Sequence, residues 1–198
     1  MKKATLYLVA LFFVSAVFAN SDLGTVSHKV SASSSKVNWK AHKVTGSHEG
    51  FLGVKSAELV YTDGSLTGGS FVLDATSITV TDLSGKYKGD LEGHLKSPDF
   101  FAVGEYPEAK FVITKVVSRG AKGEYKVVGN LTIKGITKEI KFNTTVVEKA
   151  GAPVSASAEF EVDRTDFNVK YGSGSFFDDL GDKTIYDEFE LKISLVVN

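Results

Sequence analysis

Four histidines, His28, His42, His48 and His94, are the side chains best suited to hold a metal or move a proton near neutral pH. None stands in an H-E-x-x-H or comparable ligand spacing. Asp90 and His94 form an i, i+4 pair that would offer two ligands from one helical face, but a metal centre wants a third, and a surface acid–histidine pair is the simpler reading. Nucleophilic chemistry has no better support. Gly172-Ser173-Gly174-Ser175 lacks the G-x-S-x-G elbow, and the absence of Cys removes thiolate nucleophiles, thiolate zinc sites and disulfides. Asp178, Asp179 and Asp182 miss calcium-loop spacing, and Gly68-Gly69 does not precede a helix as a phosphate cradle would. These residues point away from an enzyme and imply neither cofactor nor metal.

The aromatic residues say more, because they fall on the apolar faces of alternating segments. From Ile185 to Val197 the odd positions include Phe189, Leu191, Ile193 and Leu195, and the even ones Glu188, Glu190, Lys192 and Ser194. That period of two marks a strand with one buried and one solvated face. Val154, Ala156, Ala158, Phe160 and Val162 repeat the pattern, as do Ile140, Phe142, Thr144 and Val146. Further strands are expected at Lys36–Val44, Phe51–Tyr61, Ser65–Ala75, Lys110–Val117 and Glu124–Ile133, with turns at Asp63-Gly64, Arg119-Gly120, Lys134-Gly135 and Gly151-Ala152-Pro153. One helix is expected from about Gly85 to Leu95, where Tyr87, Leu91 and Leu95 recur every four residues, ending near Ser97-Pro98.

The fold class is therefore all-β: eight antiparallel strands, with the helix between the third and the fourth, forming one domain over residues 20–198. Strands this long with a single apolar face fit a closed barrel, which also removes exposed edges. Inward aromatics such as Trp39, Phe51, Phe111, Phe142, Phe160 and Phe189 suit either a filled core or the wall of an apolar pocket. Periodicity does not choose between these two.

The first residues read as an address. Met1-Lys2-Lys3 is a short cationic start, and Ala4–Ala19 carries no charge but falls short of the roughly 20 residues of a spanning helix. A signal peptide over residues 1–19 is expected, and with it export to the periplasm or beyond. The whole chain has a net charge of −1; losing Lys2 and Lys3 with that peptide takes it to −3. There is no basic patch for nucleic acid and no polybasic membrane anchor.

His94-Leu95-Lys96-Ser97-Pro98-Asp99-Phe100-Phe101, followed by Tyr106-Pro107 and Phe111, closely resembles the hallmark block of the YceI-like family of periplasmic polyisoprenoid-binding proteins. Gly129-Asn130-Leu131-Thr132-Ile133-Lys134-Gly135 is similar to that family's strand-and-turn block, and Arg164-Thr165-Asp166-Phe167 to its R-x-D-F stretch. The resemblance covers about Ser34–Val197 and implies a lipocalin-like eight-stranded antiparallel barrel around an elongated apolar tunnel. The implied partner is a long-chain isoprenoid, a quinone or a fatty amphiphile. On that reading Trp39, Phe51, Phe111, Phe142, Phe160, Phe167 and Phe189 contact the chain, with Phe100 and Phe101 near one end. His94 and Arg164 become the head-group candidates, being hydrogen-bond donors inside the motif blocks. The competing reading is a filled barrel that works from its outer surface on an envelope-protein partner. Whether the chain forms a homodimer stays open at this level.

Overall fold

The computed structural model describes residues 24–198, so the signal peptide expected at residues 1–19 lies outside the described residues. Nine strands and one α-helix follow in order: β1 (Thr25–Lys29), β2 (Lys36–Lys43), β3 (Gly46–Thr62), β4 (Ser65–Val80), α1 (Gly85–Lys96), β5 (Glu108–Ser118), β6 (Glu124–Ile133), β7 (Ile136–Lys149), β8 (Ala152–Asp163) and β9 (Ile185–Val196). From β2 to β9 each strand pairs antiparallel with the next, and β9 returns to β2, which closes an eight-strand barrel with α1 between β4 and β5. All eight expected strands are present.

The ninth strand explains the length of β3. β2 pairs only with its first part, from Gly46 to Leu52, and β1 takes over along the second, from Glu58↔Lys29 to Thr62↔Thr25. Val30 then bridges to Val197 beyond the end of β9, so β1 and β2 share one position in the barrel wall. β1 carries no signal of its own: its residues are nearly all exposed, and the first buried side chain is Val30 just after it.

The apolar residues Phe51, Val54, Leu59 and Val60 of β3 do not alternate cleanly, and the strand pairing gives the cause. Val54 pairs with Leu73 and Ser56 with Val72, which leaves Lys55 as an extra residue. A bulge of this kind flips the face that each later residue presents. Before it Leu52 and Val54 point inward; after it Leu59 and Tyr61 do. Running the later, odd-numbered face back through the bulge puts Phe51 inside, and the structure corrects this. Phe51 is 46% exposed on the outer face.

Two further expectations are adjusted. Tyr87 does not join Leu91 and Leu95 in packing α1 down, being 76% exposed. Val154 is also on the outside, 39% exposed, because the register between β7 and β8 shifts between Val147 and Glu148.

Besides the packing of Leu91 and Leu95, a polar contact ties α1 to β4. The Glu92 carboxylate accepts from Thr79 Oγ1 at 2.6 Å and from the Val80 amide at 2.9 Å. Those hydrogen bonds hold its pKa below the ordinary 4.5. A depressed folded pKa gives stability that is fully present above the unfolded value and fades as pH falls through the folded one. Glu92→Gln is therefore expected to lower the urea unfolding midpoint at pH 7, with the gap to the parent narrowing by pH 3. A gap that is constant with pH would show that the charge of Glu92 is not what anchors the helix.

Candidate functional site

The barrel interior is not filled. Two adjoining chambers of about 80 and 110 Å³ lie inside it and share Leu73, Ala109, Leu131 and Leu191 as a common waist. By this measure a single water needs only about 10–15 Å³, so both are true voids rather than packing defects. Their walls are almost wholly hydrocarbon.

The chamber far from α1 is crossed by an aromatic ladder. Ring centroids step from Phe71 to Phe111 at 6.1 Å, to Phe142 at 5.4 Å and to Phe160 at 4.1 Å, the last pair stacked with planes 7° apart. These rings are half-buried although they point inward, as expected of side chains that face a void. The stacked pair also spans a seam. β7 and β8 pair only over Thr144–Lys149 and Ala152–Ala158, and Phe142 and Phe160 meet where the ladder of hydrogen bonds has ended.

The far end of this chamber is closed. Leu59, Leu66, Val127, Val146 and Leu195 form its floor, and Tyr61 and Tyr125 are buried in the same cluster. The Tyr61 hydroxyl donates to Glu148 Oε1 at 3.3 Å, and burial, with Glu148 nearby, drives the pKa of both phenols upward.

The helix-proximal chamber is lined by Trp39, Leu95, Phe100, Phe101, Tyr106 and Phe189, among others. Trp39 fits because its partner across the strands is Gly50: a Cβ there would lie 2.8 Å from Trp39 Cζ2 and 1.8 Å from the Thr79 carbonyl oxygen. The segment after α1 presents Phe100 and Phe101 to the chamber. Ser97 ends the helix by donating, through both its amide and its hydroxyl, to the His94 carbonyl.

Both head-group candidates turn out to have other work. Arg164 begins a short 3-10 turn (Arg164–Phe167) and is 4% exposed at the edge of the helix-proximal chamber. Its guanidinium donates to the carbonyls of Val169 at 2.8 Å, Tyr171 at 2.9 Å, Ile185 at 3.0 Å and Tyr186 at 3.1 Å, and to Asp187 Oδ1 at 3.3 Å. Burial lowers its pKa, opposed by Asp187 and Asp163. Asp187 is the carboxylate hydrogen-bonded to it, rather than Asp163 or Asp166 beside it in sequence. His94 lines neither chamber. Its ring packs edge-on against Phe100 at 4.8 Å and Tyr171 at 4.5 Å, bracing the wall from behind.

The expected contact residues thus divide. Trp39, Phe100, Phe101 and Phe189 line one chamber, and Phe111, Phe142 and Phe160 the other. Phe167 is buried in the core at 1% exposure and lines neither, and Phe51 faces out. The waist residues Leu73, Ala109, Leu131 and Leu191 were not singled out from sequence. Their only signal there is alternation, which every core residue shares. No group of three or more potential metal ligands occurs among the described residues.

Comparison with known proteins agrees with this architecture. The YceI-like domain matches residues 28–197. A UPF0312 protein of Photorhabdus laumondii is 36% identical over 107 residues, covering 52% of this chain and 50% of that one. A UPF0312 protein of Pseudomonas putida is 40% identical over 86 residues, 42% of this chain and 44% of its own. The matched region spans about half the length of these curated relatives. Among solved structures, Burkholderia cenocepacia BcnA superposes with a TM-score of 0.66 at 24% identity, over 85% of this chain and 99% of that one. A polyisoprenoid-binding domain from Saccharophagus degradans gives 0.60 at 14% identity, over 86% and 97%. At these identities the likeness is one of fold.

Proposed function

Because this chain belongs to the YceI-like domain family, we propose that it holds a long-chain isoprenoid, a quinone or a similar fatty amphiphile inside its barrel, for carriage or storage in the cell envelope. The observation that carries the reading is the pair of adjoining apolar chambers joined at Leu73, Ala109, Leu131 and Leu191. A filled barrel that acts from its outer surface would have no use for such voids. Burial drives the binding: each methylene removed from water contributes about 0.8 kcal/mol before ordering costs, so total apolar length matters more than detailed shape. The chain itself carries out no reaction in this reading; its walls exclude water and set the path of the ligand. The basic start and uncharged Ala4–Ala19 support export, and the periplasm is the proposed location.

The test is native mass spectrometry of the exported protein purified from its own envelope, followed by organic extraction. A stoichiometric adduct that releases a long-chain lipid is expected. A bare protein mass that does not change after incubation with a polyprenol, a prenylquinone and a long-chain fatty amide would overturn the proposal.

A further inference from the structure

We infer that the cargo is electrically neutral along its whole length, as a prenol, a prenylquinone or an uncharged fatty derivative is, and that phosphorylated counterparts of the same chain length are discriminated against. This rests on the reading of the barrel as a lipid holder and adds the charge of what it holds.

An anionic head group would have to compete for the cations that border the tunnel. An anion moved from water into a hydrocarbon chamber is strongly disfavoured unless a cation and several donors replace its hydration. Three cationic residues border the chambers: Lys110, Lys134 and Arg164. A guanidinium has five N–H donors, and in Arg164 all five are engaged, with four backbone carbonyls and Asp187. Releasing it to a ligand would strand those carbonyls. Lys134 donates to the Pro98 carbonyl at 2.9 Å, and Lys110 pairs at 3.0 Å with Glu108, which also receives Lys55 at 2.6 Å.

The opposite pole is no better for an anion. Behind the floor of the far chamber stands the Glu148 carboxylate, its side chain 5% exposed, met by the Tyr61 hydroxyl at 3.3 Å and by Lys122 at 3.4 Å. A second negative group at that end would face the first. One buried polar side-chain atom among the described residues has no hydrogen-bond partner, and it is Trp39 Nε1, in a residue of the helix-proximal wall. A neutral donor of this kind matches a carbonyl or hydroxyl oxygen better than a phosphate, which needs cationic partners.

Trp39 also supplies the measurement, being the only tryptophan in the chain. Its fluorescence is followed while the delipidated protein is titrated with a polyprenol, a prenylquinone and a polyprenyl monophosphate of one chain length. The expected result is saturable binding of the first two, with the phosphate weaker by at least about tenfold, the equivalent of one neutralising contact. Phosphate binding as tight as that of the prenol, or tighter, would overturn the neutral-cargo inference and leave the lipid reading intact. Failure of all three to bind would overturn the lipid reading, and this inference with it.

Discussion

Replacing Ala109 by Phe is expected to weaken binding of a long-chain lipid by about 100-fold while the protein stays folded. Ala109 lies on β5 opposite Leu73 and is shared by both chambers, so a ring at this position projects into the waist. A chain excluded from one chamber forfeits the burial of about four methylenes, roughly 3 kcal/mol at ~0.8 kcal/mol each, or about two decades of affinity. Overpacking a tight core costs about 1–3 kcal/mol, but here the added atoms enter space that is already empty. The measurement is a pair of titrations, with a long and a short amphiphile. The short one, needing a single chamber, is expected to bind both proteins alike. Equal loss for both lengths would mean that the chambers do not act as one path.

Arg164→Met is expected to destabilise the fold by about 3–5 kcal/mol, the range for breaking a buried charge network from one side. Met preserves much of the length of the side chain and removes every donor. The carbonyls of Val169, Tyr171, Ile185 and Tyr186 then lose a partner, and Asp187, hydrogen-bonded also by Ser175, loses its cation. Lys at this position is expected to restore only a fraction, since one ammonium cannot reach the same fork of acceptors. Urea unfolding of both variants at pH 7 measures the loss and its partial recovery. A loss below about 1 kcal/mol would mean that water takes over the guanidinium's contacts without difficulty.

These two residues show where a one-dimensional reading runs out. Ala109 looks like any small strand residue, and only the pairing of β5 with β4 sets it opposite Leu73, while the pairing of β5 with β6 puts Leu131 opposite Phe111, two residues further along the same face. Arg164 looks like a ligand donor because it is a cation inside a motif. Its acceptors come from residues 169–171 and 185–187, which meet around it only when the chain after β8 has turned back to enter β9. The bulge at Lys55 is a third case: one unpaired residue moves Phe51 to the outside, and nothing in the local composition marks it.

The alternation of apolar and polar residues by itself determined the eight barrel strands and the inward faces of β7, β9 and, beyond Val154, β8, while a four-residue recurrence before Ser97-Pro98 determined the helix. Period two is a local property, written into each segment by the geometry of the extended chain. Tertiary structure alone decided that the barrel is hollow, where its waist lies, and which carbonyls and rings Arg164 and His94 meet in the wall. A void is the space left when side chains from distant strands fail to meet. A donor is free or engaged according to which backbone carbonyls the fold brings to it. Both depend on distances between residues far apart in the chain, and no local pattern encodes them.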